Sequence, residues 1–252
     1  MSVRKLLAAA VLAVVAATGL SGCSSATDPN VLRVGTEGTY APFSYQEGGE
    51  LTGYDVEVAR AVGEKLGKRV EFVQTPWDSI FAGLESKRFD LVANQVTVNP
   101  ERTAKYALSQ PYTISEGVIV TSAGNTTING LADLAGKTTA QSATSNWSQV
   151  AEDAGANVEA VEGFVQAVQL LKAGRVDATV NDTLAVGAYT KTTGDTGIEI
   201  AAETGETSAQ AFAARQDDTA LIADVDRALE EMRADGTLAE LSEKYFGTDV
   251  SK

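Results

Sequence analysis

Histidine is absent from this 252-residue sequence, and cysteine occurs once. Without an imidazole there is no Ser–His–Asp triad, no HExxH metalloprotease site and no histidine metal cage. One thiol makes neither an intrachain disulfide, nor a CxxC redox pair, nor a thiolate zinc site. No metal, cofactor or catalytic residue is expected. Positive charge is also scarce: 20 basic residues face 34 acidic ones, a formal net charge of −14. A surface of that sign repels phosphate backbones and anionic lipid, so nucleic acid is not an expected partner. Aromatic residues make up only 6% of the chain, but 44% of it is apolar, enough to bury one large core or two modest ones.

Long apolar runs are equally rare. Leu6 to Ala17 follows Arg4 and Lys5 and is about a dozen residues long, the length of a signal-peptide core and too short to span a bilayer. Leu20-Ser21-Gly22-Cys23 comes next and resembles the bacterial lipobox, whose cysteine is acylated as the signal is removed. The expected processing removes residues 1–22 and leaves residues 23–30, small and polar with one proline, as a lipidated tether. Loss of Arg4 and Lys5 leaves 18 basic against 34 acidic residues, a net of −16. The expected location is extracytoplasmic, lipid-anchored to the cell membrane through Cys23.

From Val31 the pattern alternates. Val31 to Val34 reads as a strand; Val56, Ala59, Val62 and Leu66 recur at helical steps and end at Gly67; Val70 to Val73 is the next strand. A helix from Trp77 to Lys87 and a strand from Phe89 to Ala93 complete a βαβαβ series, which implies a parallel sheet and an α/β protein. At a constant offset of 87, Leu84 pairs with Leu171, Arg88 with Arg175, Asp90 with Asp177 and Asn94 with Asn181. All βαβ units share much of this pattern, so chance similarity stays open; two similar lobes are the other reading. Each would end a strand at the cleft, with Asn94-Gln95 in one and Asn181-Asp182 in the other, where open α/β sheets take their ligands. Leu221 to Met232 and Leu238 to Phe246 read as terminal helices that return to the first lobe, giving two crossings and a hinge.

Several motifs then succeed one another in a familiar order: Gly35-Thr36-Glu37-Gly38-Thr39-Tyr40-Ala41-Pro42-Phe43, Gly53-Tyr54-Asp55-Val56, Trp77-Asp78, Asn99-Pro100-Glu101-Arg102, Asp235-Gly236-Thr237-Leu238 and Lys244-Tyr245-Phe246-Gly247. Their order and spacing resemble the polar amino-acid substrate-binding proteins of ABC importers, the family 3 solute-binding proteins, over essentially the whole mature chain. Asn94-Gln95-Val96-Thr97 and the ending Tyr245-Phe246-Gly247-Thr248-Asp249-Val250 are most similar to the cystine-binding branch. The resemblance implies a type II periplasmic-binding-protein-like fold, two α/β lobes joined by a two-strand hinge. Lobe 1 is expected over 31–114 plus 208–252, and lobe 2 over 115–207.

An α-amino acid needs a cation and an anion in a desolvated cleft, because each charge left unpaired would cost several kcal/mol. Arg102 falls in the first turn of a helix that Asn99 can cap and Pro100 can open, and its planar fork suits a carboxylate. The residues alone favour a surface pair with Glu101; the resemblance reverses that and implies the ligand role. The family usually has threonine where Asn99 stands, and either residue caps. Asp182 either caps the helix Thr183 to Lys191 or meets the ammonium, and the physics leaves both open. The resemblance implies the second. It also places Thr97 and Thr144 in carboxylate-contacting turns, although Ser142-Ala143-Thr144 lacks the usual preceding glycine. Tyr40 and Trp77 match positions that flank the ligand side chain, Gln95 stands with them at the strand end, and Phe43 reads as core. Glu37 is expected on the rim, where such a residue is ordinarily solvated and where the distal ammonium of cystine would suit it.

The function these features imply is binding, without covalent chemistry: a monomeric lipoprotein that closes on a polar amino acid, cystine first, and delivers it to an ABC permease. A secreted enzyme similar to cyclohexadienyl dehydratase, or an amino-acid sensor, are the rival readings on the same fold. A dehydratase needs a positioned general acid, and no residue beyond those assigned to the ligand offers one. Because the tether lies outside both lobes and a lipid on Cys23 would supply membrane affinity only, Cys23→Ala is expected to release a binding-competent protein into the soluble fraction. Metabolic labelling with a fatty acid checks this, and label retained by the variant would refute the lipobox reading.

Overall fold

A computed structural model describes residues 28–252; the leader 1–22, Cys23 and the tether as far as residue 27 lie outside the described residues. The first half runs β1 (Val31–Thr36), β2 (Thr39–Tyr40), β3 (Ser44–Glu47), β4 (Glu50–Thr52), α1 (Tyr54–Lys65), β5 (Arg69–Gln74), α2 (Trp77–Glu85), β6 (Leu91–Thr97), α3 (Pro100–Lys105) and β7 (Tyr106–Leu108). β8 (Thr113–Ser122) leads to a 3₁₀ turn at Leu131–Leu134, β9 (Thr138–Gln141), α4 (Asn146–Asp153), β10 (Asn157–Ala160), α5 (Phe164–Lys172), β11 (Thr179–Asp182) and α6 (Thr183–Thr193). β12 (Ile198–Arg215) returns, and α7 (Thr219–Ala234) and α8 (Thr237–Phe246) close the chain.

β1 pairs in parallel with both β5 and β6, as the βαβαβ reading requires. β6 is buried from Leu91 to Val96 because helices cover both of its faces. On one face Leu32, Val34 and Leu91 meet Val58 and Val62 of α1 and Val225, Leu229 and Met232 of α7. On the other, Val92 and Val96 meet Ile80 and Leu84 of α2 and the ring of Phe89. The second lobe repeats the plan, with Val118, Val120, Val168 and Leu171 on one side of its strands and Ile119, Leu134, Trp147 and Val180 on the other. The C-terminal helices do return to the first lobe, on the α7 face that the apolar spacing 222, 225, 229, 232 marks.

The internal repeat extends to backbone detail. Lys87 and its counterpart Gly174 are both left-handed, at φ 61° and 66°. The following amides, Arg88 and Arg175, each donate to the carbonyl five residues back, at 3.0 Å. Asp90 and Asp177 then each accept the main-chain N–H of the neighbouring strand, Arg33 at 3.2 Å and Thr138 at 2.8 Å. The two lobes therefore present Asn94-Gln95 and Asn181-Asp182 from matching frames.

The lobes are joined by β8 and β12, antiparallel from Thr113↔Gln210 to Ser122↔Ile198, with a register shift between Glu203 and Thr207. The expected lobe limits at 114 and 208 fall within these paired strands, so the crossings are strands of one continuous sheet. The β2–β3–β4 meander and the 18-residue length of β12 had no counterpart in the sequence reading.

The Gly53-Tyr54-Asp55 motif opens α1 against the chain before it. Tyr54 N–H donates to the Pro42 carbonyl and Asp55 N–H to that of Phe43, each at 2.9 Å. Gly53 adopts φ 127°, and a Cβ there would lie 2.3 Å from the Phe43 carbonyl oxygen. Gly53→Ala is therefore expected to destabilise the protein by about 1–3 kcal/mol from crowding, with a comparable amount from backbone strain. Urea unfolding measures it, and a loss under about 0.5 kcal/mol, the scale of an ordinary surface change, would contradict the packing described.

Candidate functional site

A cavity of about 270 Å³ lies between the lobes, lined from the first by Glu37, Tyr40, Trp77, Asn94 and Gln95, and from the second by Gln141, Trp147, Phe164, Asn181 and Tyr189. The elements that bring these side chains together are the strand ends of β1, β6, β9 and β11, the short strand β2, the first turns of α2, α4 and α5, and the body of α6.

Arg102 stands behind this wall, 7% exposed. Asn99 caps its helix by accepting the Arg102 N–H at 2.8 Å, with Pro100 at the first helical position. The guanidinium lies 5.2 Å from the Trp77 ring centre and 5.7 Å from that of Phe81, and its Nη1 donates to the Thr97 carbonyl at 3.0 Å. Among the described residues no carboxylate pairs with it: Glu101 is engaged by Lys105 at 2.7 Å. Burial pushes its pKa down to about 10. It is a desolvated cation with donors to spare.

Asp182 is its opposite in the other lobe, 2% exposed. Its Oδ1 accepts the N–H groups of Leu184 and Ala185, both at 2.9 Å, while the Tyr40 hydroxyl approaches its Oδ2 at 3.4 Å. The capping and cleft readings are thus compatible, one oxygen for each. Burial raises its pKa to about 6 against the lowering effect of those amides. Among the described residues no cation pairs with it.

Tyr40 crosses from the first lobe to the second, its hydroxyl donating to Asn181 Oδ1 at 3.1 Å. Phe43 has no exposed surface and is core, as expected. Glu37 lines the cavity, half-buried: its Oε2 accepts Asn94 Nδ2 at 2.6 Å, and burial raises its pKa to about 7. The Asn94 hydrogen bond opposes that rise, and Asn94 Oδ1 also accepts Thr36 Oγ1 at 3.0 Å and the Glu37 N–H at 2.8 Å, which ties the loop to the end of β6. Gln95 is buried on β6. Thr97 places its Oγ1 3.2 Å from both Asn146 Oδ1 of the second lobe and Ser208 Oγ of β12. Thr144 spends its N–H and its hydroxyl on Asp78 Oδ1, at 3.1 and 2.7 Å, joining the lobes rather than lining the cavity.

Sequence reasoning missed Gln141, Trp147, Phe164 and Tyr189, most of the second-lobe wall. For Phe164 the signal was present: the offset of 87 pairs it with Trp77, and each aromatic opens the helix before its lobe's cleft strand.

The description of bacterial extracellular solute-binding proteins, family 3, matches residues 32–248. The L-cystine-binding protein TcyA of Bacillus subtilis (strain 168) is 52% identical over 224 residues, 88% of this chain and 83% of that protein. An ancestral arginine-binding protein bound to arginine superimposes with a TM-score of 0.81 at 38% identity, covering 86% of this chain and 99% of that one. The L-cystine solute receptor of Neisseria gonorrhoeae, in the unliganded open conformation, is more similar in sequence, 45% over 88% and 94% of the chains, yet scores 0.61. The arrangement described superimposes better on the arginine-bound relative than on the open one.

Asp182, Glu37 and Asp55 have pKa values of about 6, 7 and 7, all raised by burial above ordinary carboxylates. The folded protein holds these protons to higher pH than the unfolded chain. Stability they contribute is full near pH 4 and is lost as pH rises through 6 to 7. The ligand-free protein is expected to be several kcal/mol more stable at pH 5 than at pH 7.5, since a tenfold difference in proton affinity between the folded and unfolded chain is worth about 1.4 kcal/mol and three groups contribute. Urea titrations at both pH values measure this, and Asp182→Asn should reduce the difference; equal stability would refute it.

Proposed function

The chain belongs to the bacterial extracellular solute-binding proteins of family 3, and from that premise we propose that it is the substrate-binding lipoprotein of an ABC importer. On this reading it closes on a polar amino acid, cystine foremost, and hands it to a membrane permease. The observation that carries the proposal is a pair of buried, opposite charges without partners: Arg102 in one lobe and Asp182 in the other. An α-amino acid is a zwitterion, and closure on it would give each charge its counter-ion where charge-assisted hydrogen bonds are strong. Trp77, Tyr40, Trp147 and Phe164 offer apolar faces to whatever lies between the two ends.

Cystine is favoured over other amino acids by the similarity to an L-cystine-binding protein and by Glu37, a carboxylate on the cavity wall that would suit a second ammonium. Gln95, Thr97 and Thr144 are assigned supporting roles, the last two across the closing lobes. We assign residues 31–114 with 208–252 to one lobe, 115–207 to the other, and a monomeric state. Among the described residues no helix is long and apolar enough to cross a membrane; attachment on this reading rests on lipid at Cys23.

Calorimetry with cystine, arginine and serine tests the assignment. A ligand at a hundred times its dissociation constant should add about 2.7 kcal/mol to stability, so thermal shifts rank the same panel. Arg102→Ala leaves a bound carboxylate without its partner, which costs about 3–5 kcal/mol and weakens the best ligand by at least about a hundredfold. The ligand-free variant should be no less stable than the parent, because an unpaired buried charge has been removed. A loss of affinity under tenfold would mean that Arg102 is not the carboxylate clamp.

A further inference from the structure

Asp55 is a carboxylate with no exposed surface, and the amino-acid site as described does not use it. The first turn of α1 carries it beneath β6, where both of its oxygens are spent on one residue. Oδ2 accepts the backbone N–H of Gln95 at 2.7 Å, and Oδ1 accepts the Gln95 side-chain Nε2 at 2.6 Å. The same Nε2 donates to Thr113 Oγ1 of β8 at 3.2 Å.

Gln95 needs such a hold. Its φ is 49°, in the left-handed region that a glutamine seldom occupies. It lies where β6 and β12 lose register: β12 advances from Ala211 to Ala213 while β6 spans Val96 back to Val92. The surplus residues form a bulge, a device that re-aims the strand beyond it. Thr97 is on that re-aimed stretch, and its carbonyl accepts Arg102 Nη1. Asn94, on the other side, holds Glu37.

We infer that Asp55 is a positioning residue, an assignment that rests on the amino-acid-binding reading above: its carboxylate clamps Gln95 in the left-handed bulge, and the bulge sets where Thr97 holds Arg102 against the ligand carboxylate. Asp55 touches no ligand. It acts on affinity through the backbone of β6.

A double-mutant cycle read by calorimetry with L-cystine separates this role from a general contribution to folding. Asp55→Asn keeps the side chain's shape but turns one acceptor into a donor facing a Gln95 N–H. Gln95→Gly enters the left-handed region without a clamp. Asp55→Asn is expected to weaken cystine at least tenfold in the parent, and by a factor at least five times smaller in the Gln95→Gly background. A smaller difference between the two backgrounds overturns the inference. If Asp55→Asn does not fold, Gln95→Val and Gln95→Gly decide with Asp55 intact: valine cannot enter that region without strain and should bind at least tenfold more weakly than glycine, and near-equality overturns the clamp. A parent protein that binds no amino acid would sink the transport reading instead. The clamp is then read without ligand from the HN–Hα coupling of residue 95, which should leave its left-handed value in Asp55→Asn; an unchanged coupling overturns it.

Discussion

Two opposite charges held out of water without partners are the constraint around which this molecule is arranged. A guanidinium 7% exposed and a carboxylate 2% exposed each forgo hydration, and each loss runs to several kcal/mol. They sit in different lobes, so the open form cannot relieve the cost by letting one pair with the other. Each lobe must therefore be stable enough alone to hold its charge, and each has apolar clusters on both faces of its strands. The frames are rigid for the same reason: Arg102 is fixed by a cap, two aromatic faces and the Thr97 carbonyl, and Asp182 by two helix amides.

The contacts that span the cleft are weak by comparison. Tyr40 to Asn181, Thr97 to Asn146 and Thr144 to Asp78 are hydrogen bonds between partly buried or exposed groups, each worth about 0.5–1.5 kcal/mol net. A few such bonds bias closure without locking it. On the proposed reading the large term would be the ligand's two charges meeting Arg102 and Asp182, since a ligand shifts the lobes only by the difference in its affinity for the two forms. Weak spanning bonds beside strong ligand bonds are what a reversible carrier requires.

The sequence made α1, α2, α7 and α8 and the strands β1, β5 and β6 legible because each is set by local spacing. α1, α7 and the Asn99 cap lie where the apolar period and capping chemistry put them. β12 was not legible, since its 18 residues are fixed by register with β8, β6 and β7 far along the chain. In the site, Arg102 was ambiguous only because Glu101 stands beside it; Lys105, four residues on, takes that carboxylate, a pairing that helical spacing already permits. The hydrogen bond that holds Glu37 was not legible, because its partner Asn94 lies 57 residues away and no local rule reports such a contact. Trp147 and Tyr189 face the cavity through packing of the second lobe, which leaves no trace in residue type.

The matching frames of the two lobes explain how one architecture supplies both signs of charge. Asn94 and Asn181 occupy equivalent strand ends, and each accepts a hydrogen bond that fixes the first lobe's rim: Glu37 N–H in one case, the Tyr40 hydroxyl in the other. The next residues differ in how their backbones leave the strand. Asp182, in an extended conformation, starts a helix and keeps its carboxylate at the cleft as that helix's cap. Gln95, left-handed, cannot start a helix there, so β6 continues two residues to Thr97 before Asn99 opens α3. That short extension carries the first-lobe helix start past the strand end and puts Arg102, rather than a capping carboxylate, beside the cavity. A single backbone angle at equivalent positions thus separates the lobe that presents an anion from the lobe that presents a cation.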